Sequence, residues 1–403
     1  MWAEDGAVFI SQALAPDQPW TPFRPYDGYL HLVPRLAAEI VVRFFDADNY
    51  AAAMTVLACA AVAVVSVLTY HCARAVTANV WMRAAWAAVP VLINVGAIET
   101  LGNFANFHWY LLWLALWLLI KPARSIPGSV GLFLVAAVAS LTEIISIALV
   151  PLFLFRFKDK AYWPARAGLA LGLACQVYTT LSYPRRSNGG YELDPLSIVY
   201  GWFINTAVPI VYGTSRNAVG QILNFGAWPV VLAALMVAGV VAAIMWRGTR
   251  GDRWLALLFV AASVLVWTAC LVANPAGHLD YARFTDADWQ EQFQFSRYSV
   301  APTMFLLALG PILASMLRRV SMQASAVALS AFGLLLVSMY FPPATFRDNG
   351  PLWRDSVATA KDLCRASPGI GSVDVPVAPH YYQGKVAFPC AVLLADKQDQ
   401  ATP

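Results

Sequence analysis

The sequence predicts an all-α polytopic membrane protein, from its composition, its long apolar stretches and the spacing of its basic residues. Of the 403 residues, 59% are apolar and 12% are charged. A helix needs about 20 mostly apolar residues to cross a hydrocarbon core of about 30 Å. Eight stretches approach this length, more than one soluble core can bury: residues 51–70, 84–98, 104–120, 164–182, 226–246, 254–273, 299–317 and 322–341.

A ninth apolar stretch, residues 129–155, is too long for one simple span, and the charges around it suggest how it runs. Short loops rich in Lys and Arg remain in the cytoplasm. Five loops between spans carry them: Arg74 and Arg83; Lys121 and Arg124; Arg156, Lys158 and Lys160; Arg247, Arg250 and Arg253; Arg318 and Arg319. All five loops lie on the cytoplasmic side only if residues 129–155 enter the membrane and return to that side. We therefore expect two short helices that meet near Glu143. One long tilted helix, with basic residues outside, is the alternative.

This topology predicts a bundle of about nine to eleven transmembrane or re-entrant helices and three regions. Residues 1–50 form a first extracytoplasmic loop with amphipathic helices, residues 51–341 the transmembrane domain, and residues 342–403 a small extracytoplasmic tail. Residues 99–104, 183–225 and 274–298 also face outwards. Most of the conspicuous polar residues fall in these outer segments. We therefore expect a site on the periplasmic or exterior face of a bacterial inner membrane.

Charge and cysteine content exclude some classes of protein. A formal charge of +4 without a basic tract gives no reason to expect a nucleic-acid partner. The six cysteines form no CxxC pattern, and no HExxH motif is present, so a zinc site is not predicted. Cys364 and Cys390 both fall in the outer tail, where an oxidising compartment would let them form a disulfide. The alternative is two unpaired cysteines that pack as small apolar residues.

The first outer loop carries two polar patterns. Glu4 and Asp5 form an acidic pair, which is either solvated surface or part of a site. In the following segment an apolar stripe at helical spacing suits a helix on the membrane surface: Tyr29, Val33, Leu36, Ile40 and Phe44. A polar ridge recurs every four residues: His31, Arg35, Glu39 and Arg43. The ridge is either an ion-paired solvated face or a means of directing His31 and Arg35 into a polar cleft.

Further polar residues lie where predicted spans meet outer loops. A continuous helix would align four of them: Glu99, Asn103, Asn106 and Tyr110. Gly102 favours instead a turn and then a new helix. Acids at membrane depth usually face a bundle interior or an aqueous cavity. Glu99 and Glu143 are both such acids, and His108 lies near Glu99 in the sequence. Hydrogen bonding between helices is the alternative role, and the one we expect for Glu143.

Arginines in the later outer loops are candidates for phosphate binding. Arg297 and Tyr298 precede a late span, and Arg185 and Arg186 follow an earlier one. Arginine can donate two parallel hydrogen bonds to a phosphate. Ordinary anchoring at the membrane interface is the alternative, because Arg and Tyr are common at that depth.

Taken together, the acidic pair in "WAEDGAVFISQAL", the segment "PYDGYLHLVPRLAAEI" and the late "RY" resemble the GT-C class of membrane glycosyltransferases. The resemblance implies transfer of a sugar from a polyprenyl-phosphate donor to a glycan or lipid acceptor, with inversion. It implies Asp5 as general base, with Glu4 as its neighbour or substitute. It also implies that Arg297 with Tyr298 binds the phosphate. The next candidates for this contact are Arg35, Arg185 and His31. No cofactor is required, and the need for a divalent metal is open.

The same resemblance predicts a transmembrane helix ahead of the acidic loop, so we expect the chain to start one helix late; export of a short tail without one is the alternative. Two other functions stay open. One is a transporter or lipid flippase that uses Glu99 and Glu143 as coupling residues. The other is a non-catalytic partner in cell-envelope assembly.

Overall fold

A computed structural model describes residues 1–15, 20–93, 95, 97–185, 191–340, 348, 350–379 and 382–395. Within these residues the chain is largely helical, with one two-stranded antiparallel sheet, β1 (Ser372–Pro376) and β2 (Lys385–Pro389). Five helical segments are long and apolar enough to cross a membrane: Ala47–Ala75, Pro195–Tyr212, Trp228–Arg247, Arg250–Ala273 and Arg297–Arg318. This confirms the predicted all-α class with helices of transmembrane length.

The remaining helices are shorter. Five of them are apolar: Val80–Leu92, His108–Leu119, Ile126–Thr142, Ile144–Leu154 and Met322–Met339. Others are Asp5–Ile10, Leu32–Phe44, Ala97–Thr100, Trp163–Ser182, Ser215–Phe225, Asp286–Glu291, Trp353–Ala366 and Cys390–Leu394. The predicted stretch 84–98 is displaced: its helix begins at Val80, where the Asn79 side chain accepts the backbone N–H groups of Trp81 and Met82.

The basic loops lie together at one end of the bundle, called here the basic end. Lys121 Nζ donates a hydrogen bond to the carbonyl of His71 at 3.1 Å. Three further contacts join the other loops: Ala123 with Ala161, Phe155 with Trp254, and Arg319 with Asp252. The prediction that these loops share one side therefore agrees with the packing.

Residues 126–154 form the predicted pair of short helices. Ile126–Thr142 is α-helical, the chain breaks at Glu143, and Ile144–Leu154 continues as a 3₁₀-helix. The N–H of Ala123, before the pair, donates to the carbonyl of Ala161, after it, at 2.8 Å. Entry and exit therefore lie at the same end, and the alternative of one long tilted helix is wrong.

The helix Trp163–Ser182 packs closely along Ile126–Thr142 because glycine allows the two backbones to approach. A Cβ placed on Gly172 would lie 2.0 Å from Ser140 Oγ and 2.9 Å from the carbonyl oxygen of Ala137. A Cβ on Gly168 would likewise lie 2.1 Å from the Phe133 carbonyl oxygen. The position of Gly172 therefore accepts no larger side chain without moving a helix.

We expect Gly172→Val to destabilise the folded protein by about 2–4 kcal/mol, because overpacking forces the helices apart. Thermal unfolding in detergent measures this. Gly239→Val is the matched control, because nothing lies within 4 Å of a Cβ at that helical glycine. Equal unfolding temperatures for the two variants would contradict the close-packing argument.

The prediction that residues 183–225 form an outer loop needs correction. Pro195–Tyr212 is helical and apolar enough to cross a membrane, with a mean hydropathy of 1.2 against 1.9–2.5 for the other four segments. Asn205 and Thr206 interrupt its apolar run, which hid it in the sequence. This segment and the residues after it contact the predicted outer segment 274–298: Asn205 accepts the N–H of Ser296 at 3.2 Å, and Ser215 accepts that of Phe295 at 2.9 Å.

The N-terminal segment and the tail are joined at the end opposite the basic loops, called here the polar end. The N–H of Ala3 donates to Ala378, and that of Ala378 to Met1, at 2.7 and 2.9 Å. The tail contains an amphipathic helix, Trp353–Ala366, and the two strands β1 and β2. A disulfide joins Cys364 to Cys390 and ties that helix to the segment after β2.

Candidate functional site

A cleft of about 390 Å³ opens at the polar end, and segments distant in sequence form its walls. Its lining includes six of the predicted site residues: Glu4, His31, His108, Arg185, Arg297 and Tyr298. Aromatic, amide and acidic side chains complete much of it: Tyr26, Tyr29, Asn106, Trp109, Glu143 and Asn274. The structure therefore brings together residues that the sequence separates by nearly 300 positions.

The helix Leu32–Phe44 turns its polar ridge inwards. His31, Arg35 and Glu39 are buried, whereas Ile40 and Phe44 from the predicted apolar stripe are exposed. Glu39 accepts the N–H and hydroxyl of Thr21 at 2.9 and 2.8 Å. Three of the four ridge residues therefore pack against the protein, and the fourth, Arg43, is exposed and lies 3.5 Å from Glu39. Only the far end of the apolar stripe, Ile40 and Phe44, is free to contact lipid.

His31 reaches the cleft from this helix, but Arg35 does not line it. Arg35 Nη1 donates to Gln12 Oε1 at 2.7 Å, and its guanidinium lies 5.3 Å from the ring centroid of Phe9. Burial, and then the charge of Arg35, lower the pKa of His31 to about 3. His31 is therefore neutral near pH 7, and Arg35 supports the wall of the cleft instead of binding a ligand directly.

The two adjacent acids have different surroundings. Glu4 is half-buried and lines the cleft. Burial, and then the nearby Glu4 carboxylate, raise the pKa of Tyr26 above its usual range. Asp5 is buried outside the lining, where its carboxylate accepts the N–H groups of Phe104 at 3.0 Å and Ala105 at 2.7 Å. The predicted base, Asp5, is thus engaged with the backbone, and its neighbour Glu4 is the acid in the cleft.

We expect Asp5→Ala to lower stability by about 2–4 kcal/mol, because it leaves the buried N–H groups of Phe104 and Ala105 without their acceptor. Thermal unfolding measures the loss. Asp362→Ala is the control, because that exposed carboxylate lies on the tail helix and its substitution should cost less than about 0.5 kcal/mol. A fully stable Asp5→Ala protein would contradict this structural role.

The segment between Glu99 and His108 is a turn followed by a new helix, as Gly102 suggested. The helix Ala97–Thr100 ends, Gly102 adopts a positive φ of 64°, and the next helix begins at His108. The turn leaves Glu99 facing the late span, where Arg297 Nη1 donates to Glu99 Oε1 at 2.8 Å. Glu99 therefore orients Arg297, which is itself 36% exposed.

Arg185 stands at another side of the cleft. Its Nε pairs with Asp27 at 2.9 Å and its Nη1 donates to Asn274 Oδ1 at 2.6 Å. These contacts hold the first outer loop against the end of Arg250–Ala273. Its neighbour Arg186, also a candidate, lies outside the described residues.

For two residues of the cleft, the sequence predicted different surroundings. Tyr29 was assigned to an apolar stripe, yet its ring lies 4.0 Å from that of His31 between centroids. Glu143 was expected to bond between helices, yet it lines the cleft. The sequence signal for this placement was the break in the apolar run at Glu143. A buried acid at a helix end is expected to face a polar cavity.

Within the described residues, no three His, Cys, Asp or Glu side chains are grouped so as to hold a metal ion. Comparisons of the chain with protein families, with curated proteins and with solved structures find no match.

Proposed function

We propose that the protein is a membrane glycosyltransferase that transfers a sugar from a polyprenyl-phosphate donor to a glycan or lipid acceptor. The observation that carries this is one cleft that holds a carboxylate, Glu4, together with two cationic side chains, Arg297 and Arg185. Two segments of transmembrane length, Arg250–Ala273 and Arg297–Arg318, end in its lining, so the proposed lipid-linked donor reaches the cleft from the bilayer. The basic end then faces the cytoplasm, and the cleft faces the periplasm or exterior of a bacterial inner membrane.

In the proposed reaction Glu4 replaces Asp5 as the general base. An acceptor hydroxyl attacks the anomeric carbon of the donor, and Glu4 takes the hydroxyl proton. The new C–O bond forms as the bond between that carbon and the phosphate oxygen breaks, and the phosphate leaves with the electron pair. Direct displacement of this kind inverts the anomeric centre.

Arg297, with Tyr298 beside it, is the proposed phosphate contact. Its guanidinium is already oriented by Glu99, and a preorganised cation stabilises the negative charge that develops on the leaving phosphate. Arg185 supplies a second positive charge in the lining. The donor, the acceptor and membrane lipids are the proposed partners.

The test uses membranes that contain the chain, an envelope acceptor fraction and a donor with a radiolabelled sugar on polyprenyl phosphate. We expect label to enter the acceptor with inverted configuration. Direct transfer from a nucleotide sugar without the polyprenyl carrier would contradict the proposal. Movement of intact donor across the membrane without cleavage would instead favour the transporter alternative.

A further inference from the structure

A cluster of three buried polar side chains lies in the cleft beside Glu4, Arg297 and Arg185. It includes His31, a predicted phosphate contact that is neutral near pH 7 and so gives a phosphate no positive charge. His31, His108 and Glu143 come from three separate elements and are 3%, 6% and 2% exposed. The two imidazole centroids lie 6.5 Å apart. His108 Nε2 lies 3.6 Å from Glu143 Oε2, which is beyond hydrogen-bonding distance.

Most of the nitrogen atoms in this cluster lack a hydrogen-bond partner. Both ring nitrogens of His31 and Nδ1 of His108 have none among the described residues. Carbonyls of Tyr26 and Ala105 lie near the two rings, but outside hydrogen-bonding geometry. Buried polar atoms are rarely left unpaired, because each costs about 1–3 kcal/mol. Three such atoms in one cleft indicate a surface built to receive a polar ligand.

The hydrogen-bonding capacity of the cluster indicates which ligand group fits. The neutral His31 ring offers one donor and one acceptor, and Glu143 keeps one oxygen available after accepting the N–H of Ile145 at 2.6 Å. A hydroxyl group both donates and accepts, so it matches such a surface. A carboxylate on the ligand only accepts, and beside the Glu143 carboxylate it would be repelled.

Aromatic rings beside the two imidazoles suit the apolar face of a sugar ring. Tyr29 lies 4.0 Å from His31 between ring centroids, and Trp109 lies 4.3 Å from His108. Polar edges beside aromatic faces match a pyranose, which presents hydroxyls at its rim and C–H groups on its faces.

We propose that His31, His108 and Glu143 form a subsite that binds the hydroxyl groups of the donor sugar and disfavours a sugar that carries a carboxylate. This inference rests on the proposed function and narrows its substrate class to sugars other than uronic acids. The phosphate of the same donor binds at Arg297, in a separate part of the cleft lining.

The experiment measures binding, without the need for turnover. The protein in lipid nanodiscs is titrated with three short-chain phosphodiesters of farnesol: one capped with a methyl group (farnesyl methyl phosphate), one carrying a neutral hexose and one carrying a uronic acid. We expect the neutral hexose form to bind about tenfold or more tightly than the sugar-free form, as a few hydrogen bonds of ordinary strength provide. The uronic acid form should gain less.

His31→Phe and His108→Phe remove the nitrogen atoms and keep a ring in place. We expect each to weaken binding of the hexose form about tenfold and to leave binding of farnesyl methyl phosphate unchanged. Because both ring nitrogens of His31 have no partner in the described residues, His31→Phe should not lower the unfolding temperature. His108→Phe also removes the Nε2 that lies 3.6 Å from Glu143, so its effect on binding is compared with its own unfolding temperature. His71→Phe, at the basic end, is the matched control and should change neither measurement.

The outcomes separate this inference from the proposed function. If the parent transfers sugar but binds sugar-free and hexose forms equally, the subsite is wrong and the enzyme stands. If the hexose form binds as expected but is never cleaved, the subsite stands and the transferase is wrong. Binding of the uronic acid form as tight as that of the hexose form, or equal weakening of all three lipids by both variants, overturns the inference.

Discussion

Glu4→Gln is expected to reduce sugar transfer by about 10²- to 10⁴-fold, the usual contribution of a general base. Glutamine keeps the size of the side chain and its hydrogen-bonding capacity, but it cannot accept a proton from the acceptor hydroxyl. Binding of the donor should stay close to that of the parent, because Arg297 and the polar lining are unchanged. Single-turnover transfer together with donor binding measures the two effects separately.

Two companion variants make the result specific to Glu4. Glu291→Gln changes an exposed carboxylate at the end of Asp286–Glu291 and should leave transfer unchanged. Asp5→Asn keeps an acceptor oxygen for one of the two backbone N–H groups, which donate to different oxygens of Asp5, and should retain more activity than Glu4→Gln. Greater loss in Asp5→Asn, in a protein that still unfolds at the parent temperature, would return the role of base to Asp5.

Arg297→Ala is expected to reduce transfer by about 10²- to 10³-fold, the range seen when a preorganised charge-stabilising group is removed. The loss has two sources. The leaving phosphate loses its cation, and the Glu99 carboxylate loses the guanidinium that donates to it at 2.8 Å. Donor binding should weaken as well, in contrast to Glu4→Gln, because the phosphate is present before and after the reaction.

Arg297→Lys distinguishes charge from geometry. Lysine keeps the positive charge but cannot donate the two parallel hydrogen bonds of a guanidinium, so partial activity is expected. Arg216→Ala, an exposed arginine on Ser215–Phe225, is the control for loss of a positive charge at the polar end. Unchanged activity in Arg297→Ala would remove Arg297 from the site, whatever the outcome for Glu4.

The broad architecture could be predicted from the sequence because hydropathy and charge are local properties. An apolar stretch such as residues 254–273 has to avoid water wherever it packs, so its length and hydropathy predict a membrane helix without knowledge of its contacts. The basic loops likewise predicted that residues 129–155 turn back near Glu143. Pro195–Tyr212 was missed because Asn205 and Thr206 lower its hydropathy, and only the packing against Ser296 shows what those polar residues contact.

The site itself was only partly predictable, because its members depend on contacts between distant segments. The sequence determined that an acidic pair, a polar ridge and a late arginine would be found in outer segments. Only the tertiary structure decided that Glu4 lines the cleft and Asp5 does not, since Asp5 is held by backbone groups about 100 residues away. Adjacent residues on a helix point in different directions, and the partner across the fold determines which of them reaches the cleft.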